Sequence, residues 1–216
     1  MLLKWIVCQV HSEMRSAFSR TQDQWRSIEN ADGFVGQFGG WDTKNGRTDV
    51  CILGLWSSPS AYESCMRHLH DQVTAENQQE RTYHQIALEL FESHLPVLGQ
   101  CGDLASAYAK GHFLRVADCQ VKEGRVDHFI EVQKSIWVPG MRQSAGMLGG
   151  SFNRSSRASN RFLVITVGDG ESWHDHYARE KLPDMRRKSA VADDTAAIMG
   201  RFVRLEDSWL IHPEHP

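Results

Sequence analysis

Two stretches of the chain carry the same strand-like pattern: LKWIVCQV at residues 3–10 and LRVADCQV at residues 114–121. Four of the eight positions are identical, and a lysine is matched by an arginine at the second position. Both stretches are rich in the apolar and β-branched residues that favour strands. Further matches follow in the same order: Phe18 with Phe129, Gln22 with Gln133, and Gly39-Gly40 with Gly149-Gly150. This ordered set indicates a tandem duplication.

Each half contains the same order of predicted elements. In the first half, the hydrophobic pattern predicts strand 2–10, helix 16–31, strands 34–41 and 48–56, a helix that begins at Ser58-Pro59, and strand 82–92. The Asn45-Gly46 pair favours a hairpin between the two middle strands. The second half repeats this order with strand 112–121, helix 125–138, strands 145–153 and 161–168, helix 170–182 and strand 194–205. The βαββαβ order is typical of ferredoxin-like folds.

The third predicted strand is apolar on both faces, with Ile52 on one face and Leu53 on the other. Two helices cover only one face of a four-stranded sheet, so the other face needs a second cover. We therefore predict an α+β fold in which two tandem ferredoxin-like (βαββαβ) halves form a pseudo-dimeric α+β barrel, with a chamber between their sheets. The predicted boundaries are 1–97 for the first domain, 98–111 for a linker and 112–216 for the second domain.

The composition excludes several classes of protein. The chain has 216 residues, of which 41% are hydrophobic and 24% charged, as in globular proteins. A net charge of −3 argues against nucleic-acid binding, and no apolar run reaches the ~20 residues of a membrane span. The five cysteines show no CxxC spacing and the N-terminus lacks signal-peptide features. We therefore predict a cytoplasmic protein without a disulfide framework or a metal site.

Several motifs resemble a known superfamily. The segment Trp56-Ser57-Ser58-Pro59 resembles the Trp-x-Ser-type segment that leads from the third strand into the second helix in antibiotic-biosynthesis-monooxygenase-like members of the dimeric α/β-barrel superfamily. The patterns Leu-Lys-Trp at 3–5, Gly-Gln-x-Gly-Gly-Trp at 36–41 and His70-Asp71 resemble more closely an uncharacterised bacterial family of tandem ferredoxin-like barrels. This resemblance implies a ligand cavity, although members include oxygenases that act on aromatic polyketides, haem enzymes, isomerases and inactive modules, so function must be argued from the site.

The haem-degrading branch of that superfamily uses an asparagine on the first strand and a tryptophan and a histidine on the second helix. Neither half of this chain has an asparagine on its first strand, and the position of the helical tryptophan falls near Cys65. Only the histidine has a counterpart, His70. Haem binding is therefore the least favoured of the alternatives, and we expect no cofactor.

His70 is the candidate catalytic residue. It lies at the edge of the apolar stripe of the second helix, where a histidine can act as a base or simply mark the helix boundary. Four further residues are candidate substrate contacts: Gln9, Trp56, Gln120 and His176. The two glutamines are polar positions in apolar strands, Trp56 fits either a hydrophobic core or a cavity for planar ligands, and His176 loosely mirrors His70 in the second half.

These features predict a small-molecule cavity protein, a cofactor-independent oxygenase or related enzyme that acts on a hydrophobic, aromatic substrate. The alternative is a non-catalytic ligand-binding or regulatory module that keeps the cavity without chemistry. The expected partner is a small hydrophobic ligand, with no nucleic acid and no membrane. Further homo-oligomerisation stays open.

Overall fold

The structure of the protein is a computed structural model that describes residues 1–43 and 49–213. The predicted Asn45-Gly46 hairpin turn lies outside the described residues. Within them, the α+β class and the two tandem ferredoxin-like halves are confirmed, because each half follows the βαββαβ order.

The first half begins with a strand and contains four strands and three α-helices in the described residues. Its elements in chain order are β1 (Leu2–Gln9), α1 (Arg15–Asp23), β2 (Phe34–Asp42), β3 (Asp49–Trp56), α2 (Pro59–Cys65), α3 (Asp71–Asn77) and β4 (Gln85–Leu98). A π-helical turn, Met66–His70, joins α2 to α3. Ser58 caps α2, because its hydroxyl accepts a hydrogen bond from the Ala61 N–H, and Pro59 occupies the first turn.

The second half repeats this order after a short helix, α4 (Leu104–Lys110). Its elements are β5 (Phe113–Val121), α5 (Val126–Val132), α6 (Val138–Arg142), β6 (Met147–Ser155), β7 (Arg161–Gly168), α7 (Glu171–Glu180), α8 (Leu182–Ser189), α9 (Val191–Asp194) and β8 (Thr195–Leu205). A second π-helical turn, Gln133–Trp137, joins α5 to α6.

Two of the predicted elements differ most from the structure. The strand predicted to end at residue 92 continues to Leu98, because residues Phe91–Leu98 find backbone partners on β6. The helix predicted over 170–182, which Pro183 was expected to end or kink, is two helices, and Pro183 lies in the first turn of the second one, α8. A proline fits that place because the first turn of a helix needs no donor from its backbone nitrogen.

The strand order is the same in both halves. In the first half β3 pairs antiparallel with β1 and β2, and β4 lies beside β1, which gives the order β4-β1-β3-β2. In the second half the order is β8-β5-β7-β6. Strand pairing matches β1 with β5 in the same register as the sequence repeat. Leu2 of β1 pairs with Trp56 of β3, and its counterpart Phe113 of β5 pairs with Gly168 of β7.

The glycine pairs of the repeat are not structurally equivalent. Gln37 faces Gly54 across the β2–β3 ladder, whereas Gly150 faces Thr166 at the matching place of the β6–β7 ladder. The match of Gly39-Gly40 with Gly149-Gly150 is therefore wrong by three residues in register. The sequence suggested this match because both halves have a glycine pair in the same stretch, although the two pairs contact different parts of the backbone.

The chain divides into two compact units, Met1–Leu90 with Val203–Pro216, and Phe91–Phe202. The predicted boundaries at 97 and 112 describe the sequence repeat and stay a prediction. In the first unit, residues 203–205 pair with β2 and Trp209 is fully buried against Phe18 and Trp41, with ring centres 5.7 and 5.6 Å away. Residues after β8 thus complete the core of this unit.

The second unit contains a buried carboxylate at the end of α9. Asp194 is 0% exposed, accepts a 2.8 Å hydrogen bond from Nε of Arg125 and lies 2.7 Å from Nδ1 of His128. We expect Asp194→Ala to lower the free energy of unfolding by about 3 kcal/mol, because several charge-assisted hydrogen bonds are lost together. Urea unfolding would measure this. The exposed neighbour variant Asp193→Ala should change stability by no more than about 0.5 kcal/mol; equal losses would contradict the assignment.

Candidate functional site

The first half holds a cavity of about 260 Å³ between its sheet and its helices. Its floor includes Lys4, Ile6 and Cys8, which alternate along β1 and therefore point to the same face. Ile86 and Leu88 of β4 also line the cavity, although they are 47% and 39% exposed, so this side forms an apolar mouth. The chamber expected from the sequence was on the face that helices leave bare; this cavity lies on the helix-covered face.

His70 reaches the cavity from the end of the π-helical turn Met66–His70, and Met66 lines it from the start of that turn. The ring of His70 lies 5.5 Å from the ring of Trp25, and its Nδ1 lies 3.2 Å from a carboxylate oxygen of Asp71. An Nδ1–H donated to Asp71 leaves Nε2 as the proton-accepting nitrogen. π-Helical turns inside α-helices occur frequently at functional sites.

A chain of amide side chains fixes the position of Trp25. The indole Nε1 of Trp25 donates to Oε1 of Gln79 at 2.8 Å, and Nε2 of Gln79 donates to Oε1 of Gln22 at 2.9 Å. All three residues line the cavity, and Gln22 is 1% exposed. Buried polar groups that satisfy one another hold their side chains in one arrangement. The cavity therefore presents a fixed aromatic wall beside His70.

Lys4 supplies an amine to the cavity. Its Nζ donates to the thioether sulfur of Met66 at 3.8 Å, a weak acceptor, and lies 5.6 Å from the centre of the Tyr62 ring. Among residues 1–43 and 49–213, the structure places no carboxylate oxygen within 4 Å of this nitrogen. Burial lowers the pKa of Lys4 from its ordinary value of 10.5 to about 8.

The cysteine and tyrosine of the cavity are held in their neutral forms. Burial raises the pKa of the Cys8 thiol to about 12, so Cys8 packs as a small apolar residue and not as a thiolate nucleophile. Burial also raises the pKa of Tyr83, and the nearby Cys8 and Glu80 act in the same direction. Lys4 and His70 are the basic side chains of the lining, which also includes the carboxylate of Glu80.

Of the five candidates from the sequence, His70 belongs to the described lining of this cavity. Trp56 is buried in a hydrophobic cluster with Phe34 and Tyr62. Gln9 lies exposed at the end of β1, where its amide oxygen is 3.1 Å from Nε2 of His84.

The two second-half candidates lie on that half's own elements. Gln120 is half-buried near the end of β5 and pairs with Arg161 across the ladder to β7, while His176 is exposed on α7. The substrate-binding roles of Gln9, Trp56, Gln120 and His176 stay predictions.

Four polar residues that line the cavity with His70 were not among the candidates from the sequence: Lys4, Gln22, Gln37 and Gln79. Two of them carried a visible signal, because Lys4 recurs as Arg115 and Gln22 recurs as Gln133. A cation and an amide that persist at equivalent positions on apolar elements indicate a polar chamber. The remaining two are brought in by the β2–β3 register and by the turn after α3.

The matching space in the second half is nearly filled, with about 50 Å³. Arg115, Ala117 and Cys119 take the places of Lys4, Ile6 and Cys8. Because α2 begins at Pro59 and α7 begins at Glu171, Leu182 takes the place of His70. The open cavity therefore belongs to the first half, and its counterpart in the second half is nearly closed.

Residues 2–91 match the family model described as "Domain of unknown function (DUF4937)". The "Uncharacterized protein YdbC" of Bacillus subtilis strain 168 is 31% identical over 97 residues, which cover 44% of this chain and 82% of that protein.

Two solved structures share the fold along nearly the whole chain. A "Putative monooxygenase" of Fusobacterium nucleatum aligns with a TM-score of 0.75 at 13% identity and covers 94% of this chain and 91% of its own. An "anthrone oxidase-like protein" aligns with a TM-score of 0.68 at 11% identity and covers 95% of this chain and 91% of its own. Among helices in the described part of the chain, none has the length and apolar character needed to cross a bilayer.

Proposed function

We propose that the first-half cavity binds a planar aromatic molecule and promotes its oxygenation. The chain belongs to the antibiotic-biosynthesis-monooxygenase-like dimeric α/β-barrel superfamily, and within it to the family of YdbC. The observation that carries the proposal is the placement of His70 beside the fixed ring of Trp25 in one apolar-walled cavity. A base and an aromatic wall in one chamber are what an enzyme on an acidic, planar substrate requires.

The chemistry follows from proton removal. An aromatic ketone with a methylene group next to its rings loses a proton to Nε2 of His70, and the resulting carbanion is electron-rich enough to reduce O₂. The methylene carbon becomes a carbonyl, one oxygen atom enters the product and the other leaves as water. The substrate itself supplies the electrons, so a base and a binding site are sufficient.

Each part of the cavity has a role in this scheme. Trp25 stacks against the planar substrate, since Gln79 holds its indole nitrogen. Met66 and Ile52 supply apolar contacts, and the exposed Ile86 lies where the substrate enters. Asp71 orients the ring of His70 through the contact at Nδ1, which directs Nε2 towards the substrate proton.

The name of the anthrone oxidase-like structure suggests a first substrate to try. Anthrone has an acidic methylene between two aromatic rings, and its oxidation by one O₂ gives anthraquinone and one water. We expect the purified protein to accelerate oxygen consumption with anthrone, measured with an oxygen electrode and by anthraquinone absorbance. His70→Ala should lower kcat by about 100-fold or more, as loss of a general base does.

The matched control is His68→Ala, an exposed histidine on the same π-helical turn, which should keep full activity. Anthrone binding without turnover would overturn the oxygenase proposal in favour of the non-catalytic binding module. A Soret band on addition of hemin that disappears in His70→Ala would instead favour haem binding. Equal activity of the two histidine variants would contradict the role of His70.

A further inference from the structure

Three neighbouring strands of the first half place one hydrogen-bond donor on each side of Gly54. Lys4 on β1 pairs with Gly54 on β3, and Gln37 on β2 pairs with the same Gly54 from the other side. Neighbouring strands lie about 4.8 Å apart, so Lys4 and Gln37 flank a gap of two strand spacings. Both line the cavity, which places the gap on its floor.

Both flanking side chains lack a strong acceptor within the described chain. Gln37 is 8% exposed, and its Nε2 has no hydrogen-bond partner there. The Lys4 ammonium has the thioether of Met66 and no carboxylate oxygen within 4 Å among residues 1–43 and 49–213. A buried donor without an acceptor destabilises the fold by about 1–3 kcal/mol, and by more when it is charged. Gln37 is such a donor, and the half-buried Lys4 lines the same chamber, so the two side chains can serve a ligand that supplies the acceptor.

Gly54 leaves the space that such an acceptor would occupy. A Cβ atom on Gly54 would lie 3.7 Å from Nε1 of Trp56, 3.8 Å from Cβ of Lys4 and 4.0 Å from Oε1 of Gln37. These are ordinary contact distances, so a side chain would fit and its absence is not forced by the backbone. In the second half the matching position holds Thr166, which is 1% exposed beside Arg115.

We propose that the floor of the cavity above Gly54 is an oxyanion subsite, in which Lys4 and Gln37 bind a negatively charged oxygen of the ligand. The inference rests on the proposed function and names its substrate class: planar aromatic molecules that carry a carboxylate, a phenolate or an oxygen that becomes an enolate. In the oxygenation scheme, the carbanion left by proton removal is also an enolate, and the subsite stabilises its oxygen. Apolar walls strengthen this interaction because they exclude water.

The test compares a charged probe with a neutral one of the same ring system. Isothermal titration calorimetry with 2-naphthoate and with methyl 2-naphthoate measures binding to the full chain. We expect the wild type to bind the naphthoate about 10-fold more tightly or better, as charged hydrogen bonds predict. Lys4→Met and Gln37→Leu should each weaken naphthoate binding by about 10-fold or more and leave the ester within about 2-fold.

The control is Arg115→Met, the matching position of the second half, which should leave both affinities unchanged. Equal affinity of the wild type for the two probes, or equal weakening of both by Lys4→Met, would overturn the subsite and leave the aromatic cavity in place. Binding of neither probe to the wild type would overturn the proposed function together with the subsite.

Discussion

Lys4→Met is expected to abolish the preference for anionic ligands and at the same time to make the free protein more stable, by about 3 kcal/mol at pH 7. Burial lowers the pKa of Lys4 in the folded state to about 8, while the unfolded chain keeps its ordinary value of 10.5. Each pKa unit corresponds to about 1.4 kcal/mol of difference between the two states. Methionine has nearly the same shape as lysine without the charge, so it removes this penalty and keeps the packing against Tyr62.

The sign of the pH dependence follows from the same shift. Between pH 8 and 10.5 the unfolded chain holds more protons than the folded one, so Lys4 makes wild-type stability rise with pH in this window. The difference between wild type and Lys4→Met should therefore be full below about pH 8 and vanish above pH 10.5. Naphthoate binding should weaken as the pH rises past about 8, because the ammonium is lost.

Urea unfolding of both proteins at pH 7 and at pH 10.5 measures the first effect. The exposed Lys110→Met serves as the control and should change stability by less than about 0.5 kcal/mol at either pH. A Lys4→Met protein that is less stable than the wild type at pH 7 would contradict the proposal that the charged amine of Lys4 destabilises the free protein and serves ligand binding.

The substitution Gly54→Thr should strongly weaken ligand binding and leave the fold intact. Threonine is the residue that the second half has at this register, and its Cβ would meet only ordinary contacts. Its side chain would fill the space between Lys4 and Gln37, so we expect 2-naphthoate to bind about 100-fold more weakly. Stability should stay equal or rise by up to about 1 kcal/mol, since a β-branched residue suits a strand better than glycine.

The reciprocal variant Thr166→Gly provides the control. It should lower the free energy of unfolding by about 1 kcal/mol, because glycine weakens a strand and leaves a gap, and it should not change ligand binding. Calorimetric titration and thermal unfolding of both variants give the two readouts. Unchanged naphthoate affinity in Gly54→Thr would show that the ligand does not sit above this glycine.

The fold was predictable from the sequence to a greater extent than the site. Local sequence patterns predict the strands and helices. For example, the strand pattern around Cys8 recurs around Cys119, and Ser58-Pro59 marks the start of α2. The site depends on contacts between residues far apart in the chain. Gln37 and Lys4 are brought to either side of Gly54 only by the pairing of both strands with β3, and the hydrophobic pattern gives no register for that pairing.

His70 was found because a histidine on a helix edge is visible in a sequence, whereas its setting was not. The chain from Trp25 through Gln79 to Gln22 spans more than 50 positions and leaves no local pattern. The chamber was predicted on the face that the helices leave bare, so the polar residues of the helix-covered face were not considered together. The polar minority of this face becomes evident only when the side chains are placed around one volume.

The return of residues 203–213 to the first unit has a consequence for how the protein is made. The backbone N–H and C=O of Gln37 exchange hydrogen bonds with those of Ile211, at 2.9 and 2.8 Å, so a floor residue of the cavity is fastened by a segment that is translated about 170 positions later. On the ribosome, the earlier-synthesised part of this unit must therefore persist with an open edge until the rest of the chain has emerged. The β2 edge beside the first-half cavity is therefore completed only after residues 203–211 have been synthesised.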